Sequence, residues 1–271
     1  MPAAAAPRPP PRRRRFGQHF LHDPAVIERI VGALAVRRGD HLVEIGPGRG
    51  ALTARLLACC ECTLDAIEID RDLAAQLHVR FAGAAHAHLH QGDALQFDYR
   101  ALAAARAGKL RIVGNLPYNI STPLLFHLLG ASAVIDDLTV MLQREVAARL
   151  AAAPGSGAYG RLTVMLAPLL EVARLFDVGP GAFQPPPRVW SALVRLRVRP
   201  VPLFPVSPHY ATVVAAAFTQ RRKTLRNALS QLLDREAIGA CGIDPGVRPE
   251  TLPPQAFNTL AQALDRRGAD R

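Results

Sequence analysis

Short apolar runs alternate with amphipathic stretches through the first half of the chain. Runs of the length expected for buried strands cover residues 41–45, 63–69, 111–113 and 138–142. Stretches with helical spacing cover residues 51–58, 72–80 and 122–129. A further helix is expected directly after Asp23, which can serve as an N-cap and precedes a proline suited to the first helical position. This alternation predicts an α/β fold, with an open parallel sheet covered by helices on both faces.

The second half of the chain has a different pattern. Residues 174–178 and 189–198 predict two more strands, which we expect to form an antiparallel pair at an edge of the sheet. Four prolines between residues 200 and 208 then mark a boundary. Helical patterns follow it, over residues 209–218, 223–233 and 254–264.

These changes predict three parts of the chain. A main α/β domain is expected over residues 16–200, and a small helical domain over residues 201–271. Residues 1–15 are rich in Ala, Pro and Arg, so we expect a disordered basic tail there.

Composition narrows the class of protein. Hydrophobic residues make up 49% of the 271 residues, which excludes disorder throughout the chain. No apolar run reaches the ~18 residues of a membrane span, and no signal peptide is recognisable at the N-terminus. The four cysteines, three of them crowded between residues 59 and 62, do not form a disulfide framework. We therefore expect a protein of the reducing cytoplasm.

The charge is strongly positive and unevenly distributed. Lys and Arg number 33 against 22 Asp and Glu, a formal net charge of +11. Residues 178–233 contain no acidic residue but eight basic ones. Such a field suits a polyanionic partner, either nucleic acid or an anionic membrane surface. Only two of the basic residues are lysines, so arginine enrichment through genome composition is an alternative for the scattered arginines.

A nucleoside-binding pattern follows the first predicted strands. Gly46, Gly48 and Ala51 satisfy the spacing of a glycine-rich turn between strand and helix, where the backbone can approach a ligand closely. Glu68 lies near the end of the next strand, where a carboxylate can accept hydrogen bonds from ribose hydroxyls. Asp93 follows a third strand and can accept a hydrogen bond from the exocyclic amine of adenine. The three elements together favour S-adenosylmethionine over a nicotinamide cofactor, although the first alone could be an ordinary tight turn.

The most informative motif follows the fourth strand and reads Asn115-Leu116-Pro117-Tyr118. The exocyclic amine of adenine is a poor nucleophile because its lone pair is delocalised into the ring. An Asn side-chain oxygen and a carbonyl fixed by Pro117 can accept the amine's hydrogen bonds and favour a pyramidal nitrogen. Tyr118 can stack on a base that has left its helix. The motif therefore predicts catalysis at an adenine amine.

The chain resembles the ribosomal RNA small-subunit adenine N6,N6-dimethyltransferase family, with matches in order from Arg15 nearly to the C-terminus. The matching segments are RFGQHFLHD (15–23), EIGPGRGALT (44–53), EID (68–70), GDA (92–94), NLPYNIST (115–122), LQRE (142–145), YGRL (159–162), AFQPPPRV (182–189) and FTQRRKTLRNA (218–228). The resemblance implies a seven-stranded, mostly parallel, Rossmann-like methyltransferase sheet over residues 16–200. It also implies dimethylation of two adjacent adenosines near the 3′ end of 16S rRNA, with S-adenosylmethionine as the methyl donor.

The resemblance also implies roles for individual residues. Those that correspond to methyl-donor contacts are His19, Leu21, Gly46, Glu68, Asp93 and Asn115. His19 departs from the family pattern, which usually has Asn at that position. Residues matching Tyr118 and Phe183 flank the target base, so the predicted catalytic set is Asn115, Pro117, Tyr118 and Phe183.

The expected partner is small-subunit rRNA, within a partly assembled 30S subunit, whose biogenesis the enzyme would also assist. The basic segment Arg221, Arg222, Lys223 and Arg226 is predicted to contact this RNA, although a solvated helix face is the alternative. We expect a monomer, no membrane association and no metal. The alternating histidines 86, 88 and 90 lack the companions a metal site needs, and the thiols near residue 60 are expected to be buried.

Three other functions are weighed against this one. A DNA adenine N6-methyltransferase would use the same chemistry on a different substrate. A non-catalytic nucleic-acid-binding or ribosome-assembly factor would keep the fold as a scaffold, but the intact Asp93 and Asn115–Tyr118 argue against lost activity. A nicotinamide oxidoreductase leaves the Asn-Leu-Pro-Tyr motif unexplained.

Overall fold

A computed structural model of the chain describes residues 18–59, 62–220 and 222–269. The predicted tail over residues 1–15 lies outside these residues, as does Arg221. The strands are β1 (Phe20–Leu21), β2 (His41–Ile45), β3 (Thr63–Glu68), β4 (Ala87–Gln91), β5 (Leu110–Asn115), β6 (Ile135–Gln143), β7 (Leu170–Val178), β8 (Phe183–Gln184) and β9 (Ser191–Val198). The helices are α1 (Pro24–Leu34), α2 (Ala51–Cys59), α3 (Arg71–Arg80), α4 (Tyr99–Arg106), α5 (Ser121–Gly130), α6 (Arg144–Leu150), α7 (Arg161–Leu166), α8 (Tyr210–Ala217), α9 (Leu225–Ala228), α10 (Arg235–Ala240) and α11 (Pro254–Ala269).

Seven strands form the central sheet, in the order β4-β3-β2-β5-β6-β9-β7. The first five strands of that order are parallel, and β9 pairs antiparallel with both β6 and β7. The predicted α/β class and the mostly parallel seven-stranded sheet are confirmed. The predicted antiparallel pair is also present, with β7 at the edge and β9 inside the sheet.

The sheet has a hydrophobic core on each face because consecutive side chains of a strand point in opposite directions. Leu42 of β2 packs in a cluster with residues of α1 and α2, whereas its neighbour Val43 packs with residues of α4 and α5. Helix α1 begins as predicted, since the Asp23 carboxylate accepts hydrogen bonds from the Ala25 and Val26 amides. The expectation of helices on both faces is therefore confirmed.

A third buried cluster joins the C-terminal helices α8, α9 and α11. Tyr159 and Val164 also belong to it, although they precede β7 in the chain. The domain boundary near residue 200 stays a prediction. The helix expected over residues 223–233 is much shorter, and only Leu225–Ala228 is helical. A turn follows it, in which Ser230 Oγ donates to the Asn227 carbonyl and so competes with continued helix. Among the described helices, none is long and apolar enough to cross a bilayer.

Candidate active site

A cavity of about 320 Å³ lies at the carboxyl ends of β2, β3, β4 and β5. In parallel α/β sheets this edge is where ligands bind. Residues 18–21, which precede α1, also line the cavity. The ends of these four strands and the loops after them carry the glycine-rich, acidic and Asn-Leu-Pro-Tyr motifs identified in the sequence.

The glycine-rich turn after β2 has a backbone that few other residues adopt. Gly46 and Gly48 have φ values of 67° and 59°. A Cβ on Gly48 would lie 2.9 Å from the Phe20 ring, so the turn and the N-terminal segment meet only because a side chain is absent there. The Arg49 guanidinium lies over the same Phe20 ring, 4.6 Å from its centroid. The segment 18–21 is thereby held against the cavity.

Two buried carboxylates stand beside this turn. Glu68 accepts hydrogen bonds from the Gly48 amide at 3.0 Å and from the Asp70 amide at 2.9 Å. Glu44 accepts a hydrogen bond from the Thr53 hydroxyl at 2.7 Å. Burial raises the pKa of Glu44 to about 7, a rise that the Thr53 hydrogen bond opposes and the nearby Glu68 charge reinforces. Burial also raises the pKa of Glu68. Both carboxyl groups line the cavity.

The loop after β4 gives a further acceptor. Asp93 Oδ1 accepts the Leu95 amide at 2.9 Å, which fixes the carboxylate at the cavity wall. Ile69 also lines the cavity and is 46% exposed, which is unusual for a large apolar side chain. Carboxylates for hydroxyls and an amine, together with apolar walls for a ring, are the chemistry that a nucleoside requires. The residues present therefore fit a nucleoside-bearing cofactor.

The Asn-Leu-Pro-Tyr motif forms another wall of the same cavity. Asn115 Nδ2 donates to the His19 carbonyl at 2.8 Å, which leaves its side-chain oxygen as an acceptor. The Pro117 carbonyl accepts the Ile120 amide at 3.1 Å and retains a second lone pair. The Tyr118 hydroxyl is hydrogen-bonded to Ser191 Oγ at 2.7 Å, and burial raises its pKa. The motif is thus held rigidly at both ends.

Several of these contacts were not predicted from the sequence. Ser191 holds Tyr118 from the start of β9, 73 residues away in the chain. His19 Nδ1 is hydrogen-bonded to the Pro185 carbonyl at 2.7 Å, and its ring centroid lies 5.7 Å from that of Tyr118. No local spacing signals such contacts. The departure at position 19 therefore places an imidazole between Tyr118 and the loop after β8.

The structure does not bring Phe183 to the cavity. Its ring is 2% exposed and packs in the same cluster as Leu21, with which it pairs across β1 and β8. Leu21, in contrast, lines the cavity, and its contact with the methyl donor remains a prediction. The role of Phe183 beside a target base remains a prediction.

The basic stretch over residues 178–233 has mixed roles. Arg195 donates to the Ala33 carbonyl, and Arg199 forms an ion pair with Glu171 at 2.8 Å, so these two arginines serve the fold. Side chains of the predicted RNA-binding segment are exposed at Arg222, Lys223 and Arg226. Exposure leaves these three able to reach a partner, and their role in RNA binding remains a prediction.

The alternating histidines do not assemble a metal site. His90 Nε2 bonds to Asp65 at 2.7 Å, and Arg106 binds the same carboxylate with two nitrogens, at 2.7 and 2.9 Å. These contacts lower the pKa of Asp65 against the effect of burial. Within residues 18–59, 62–220 and 222–269, no three His, Cys, Asp or Glu side chains are arranged to hold a metal ion. Cys62 is buried, and the side chains of Cys59 and Cys60 lie outside the described part of the chain.

Comparison with known families shows which family the chain belongs to. The profile of ribosomal RNA adenine dimethylases matches residues 11–266. The chain belongs to the ribosomal RNA adenine dimethylase family. It is therefore a methyltransferase that uses S-adenosylmethionine, and the residues that line the cavity fit that cofactor.

Named relatives agree with this membership, and solved structures agree with the fold. The chain is 53% identical over 254 residues to ribosomal RNA small subunit methyltransferase A of Pseudomonas fluorescens, with 93% of each chain covered. It is 52% identical to the protein of that name from Methylococcus capsulatus, covering 93% of this chain and 98% of that one. Crystal structures of a Plasmodium falciparum dimethyladenosine transferase and of 23S rRNA methyltransferase ErmE superpose with TM-scores of 0.79 and 0.68. Their identities are 23% and 29%, and they cover 92% and 91% of this chain and 98% and 99% of their own.

The predicted place of Asp93 in the cofactor site gives a first test. Asp93→Ala is expected to weaken S-adenosylmethionine binding by about 1–3 kcal/mol, because a polar group of the ligand loses its partner. Asp93→Asn keeps an oxygen for the Leu95 amide and separates loss of the ligand contact from loss of the turn. Titration calorimetry gives both affinities, with Asp136→Ala as the control because Asp136 is an exposed carboxylate of β6. Unchanged affinity in a folded Asp93→Ala variant would remove Asp93 from the cofactor site.

Proposed function

We propose that this enzyme transfers methyl groups from S-adenosylmethionine to N6 of two adjacent adenosines near the 3′ end of small-subunit (16S) rRNA, giving N6,N6-dimethyladenosines. The observation that carries the proposal is the position of Asn115, which lines one cavity together with Glu68 and Asp93. A methyl-accepting amine at Asn115 would therefore adjoin the nucleoside part of the cavity. The small-subunit substrate is supported by relatives of that name at 52–53% identity.

The residues of this site contribute by orientation rather than by strong acid or base chemistry. Glu68 and Asp93 would hold the cofactor, which supplies a methyl group already activated by its sulfonium. The Asn115 side-chain oxygen and the Pro117 carbonyl would accept hydrogen bonds from the two N–H groups of the adenine amine. This favours a pyramidal nitrogen with its lone pair directed at the methyl group. Alignment of the reacting atoms then accounts for most of the rate.

Tyr118 would support the target base. Its hydroxyl is bonded to Ser191 and its ring lines the cavity, so the ring is held in place before a base arrives. An adenine must leave its stack to reach such a site, and an aromatic ring replaces part of the lost stacking. The fixed ring is therefore suited to hold an extruded adenine against Asn115.

The RNA partner would be recognised through the exposed basic side chains. We propose that the enzyme acts as a monomer in the cytoplasm on a partly assembled 30S subunit and assists that assembly. Support comes from the net charge of +11 and the exposed Arg222, Lys223 and Arg226. Phosphate contacts of this kind position a substrate without reading its sequence.

A second prediction concerns this basic segment. Replacing both Arg222 and Lys223 by Gln is expected to weaken subunit binding and to reduce its salt dependence, because fewer counterions are released. The log–log salt slope should fall by up to ~2 if both residues contact phosphates. Cofactor affinity should stay the same.

A matched variant controls for total charge. Arg37 and Lys109 are exposed and lie just before β2 and β5, at the opposite end of these strands from the cavity. Replacing this pair by Gln removes the same charge and should change the salt slope less. Equal slopes in the two double variants would assign Arg222 and Lys223 to an ordinary solvated surface.

The proposed reaction is tested with small ribosomal subunits that lack the modification. Incubation with the enzyme and labelled S-adenosylmethionine should give N6,N6-dimethyladenosine at two adjacent positions, identified by mass after digestion of the 16S rRNA. Large subunits serve as the second substrate, because the similar ErmE is named for 23S rRNA, and duplex DNA serves as the third. Transfer to either of these in preference to small subunits would overturn the proposal.

A further inference from the structure

One aromatic side chain near the active site has no place in the mechanism above. Trp190 is the only tryptophan of the chain, and it is 49% exposed. An indole combines a large apolar face with one N–H donor, and tryptophan is accordingly enriched at binding surfaces. We propose that Trp190 stacks on a nucleobase of the RNA that flanks the extruded adenine. This inference rests on the proposed function, since it takes RNA as the substrate.

The position of Trp190 links it directly to the target site. It precedes Ser191, whose hydroxyl is bonded to that of Tyr118. Ser191 is paired on both sides within the sheet, with Gln143 of β6 and with Val178 of β7. Because β9 is antiparallel to β6, its start lies at the carboxyl edge of β5 and β6, which is the edge of the sheet that holds the cavity. A nucleotide that flanks the one in the cavity would pass along this same edge.

The indole is also held in place. The Trp190 carbonyl accepts the Arg144 amide at 2.9 Å, which fixes the main chain. The six-membered ring lies against Gly179, where a Cβ would be 3.6 Å from Trp190 Cη2. A tryptophan has only two side-chain torsions, so with its main chain fixed it loses little freedom when a base stacks on the ring. Low conformational cost is a property of effective stacking platforms.

The charges around Trp190 favour a polyanionic partner such as RNA. Two exposed basic side chains lie close to it. Arg188 is two residues earlier in the chain, and Arg144 is the residue whose amide donates to the Trp190 carbonyl. The nearby acids are already paired, because Asp177 is bonded to Arg174 and Glu145 to Arg149. An aromatic surface bordered by uncompensated arginines is the combination that binds single-stranded nucleic acid.

The kinetic test compares three variants on small subunits that lack the modification. Trp190→Ala is expected to raise KM by about 10-fold or more while the single-turnover rate at saturation stays close to wild type. Trp190→Tyr should restore most of the lost affinity, whereas Trp190→Leu, which is apolar but not aromatic, should not. A wild-type KM for Trp190→Ala or Trp190→Leu would overturn the proposal. So would a loss of the saturated rate with KM unchanged, because that would mean that Trp190 only positions Ser191 and Tyr118.

A binding test separates this inference from the proposed function. The fluorescence of the chain's one tryptophan reports on Trp190 directly. A single-stranded RNA carrying two adjacent adenosines should quench it, and an RNA of equal length and charge with abasic sites should not. Binding of each RNA is followed independently by the anisotropy of an end label. RNA that binds without quenching would indicate that Trp190 meets another partner, such as a ribosomal protein, and would overturn the inference. Quenching by RNA in an enzyme that fails to methylate small subunits would instead reject the proposed function and leave the stacking contact standing.

Discussion

Asn115→Ala is expected to slow methyl transfer by about 10²–10³-fold at saturating cofactor and saturating small subunits. The Asn115 oxygen is the acceptor proposed to orient the adenine amine, and groups placed for a transition state are worth this much when removed. The substitution also removes the hydrogen bond that Nδ2 donates to the His19 carbonyl. Some loosening of residues 18–21, and hence some loss of cofactor affinity, is expected as well.

Single-turnover kinetics separate these two effects, because saturation removes the contribution of binding. Asn115→Asp is the informative companion, since it retains acceptor oxygens but cannot donate to the His19 carbonyl. If the acceptor carries the catalysis, Asn115→Asp should be much faster than Asn115→Ala. The alanine variant should still bind small subunits through the basic surface. Dimethylation by Asn115→Ala at the wild-type single-turnover rate would contradict the mechanism.

The sheet and the site edge could be predicted because local signals determine them. Residues 41–45 are a short apolar run, and they form β2 with those same bounds. The glycine turn, Glu68, Asp93 and Asn115 each lie at or just after the end of a strand expected from the sequence, and carboxyl ends of parallel strands meet at one edge. Their assembly around one cavity therefore follows from strand order alone.

The contacts that hold the site together could not be predicted in the same way. Ser191 with Tyr118, and His19 with Pro185, join residues 73 and 166 positions apart. Such pairs depend on how loops pack after the sheet has formed, and neither residue type nor spacing signals them. Packing also gave Phe183 a position that its motif did not predict. Its motif implies a place beside the target base, whereas packing against Leu21 buries its ring.

Strand β5 tolerates no side chain at Gly114, the residue before Asn115. It ends the buried part of β5, beside the last residue of β2 in the parallel pair. A Cβ at Gly114 would overlap the carbonyl oxygen of Ile45. That neighbour is main chain in the centre of the sheet, so it cannot move away as the end of a flexible side chain could. The two central strands would have to separate.

Gly114→Ala is accordingly expected to lower the free energy of unfolding by more than ~3 kcal/mol, beyond the usual cost of one extra methyl group in a core. Cofactor binding should fall with it, because Gly46 after β2 and Asn115 after Gly114 both line the cavity. Gly32→Ala is the matched control. Gly32 lies within α1 with nothing within 4 Å of an added Cβ, so the same change there should stabilise the protein by up to ~1 kcal/mol. Denaturant unfolding of the two variants beside the wild type measures both signs. A Gly114→Ala enzyme that folds and methylates like the wild type would mean that the close approach of β2 and β5 is not required by either the fold or the site.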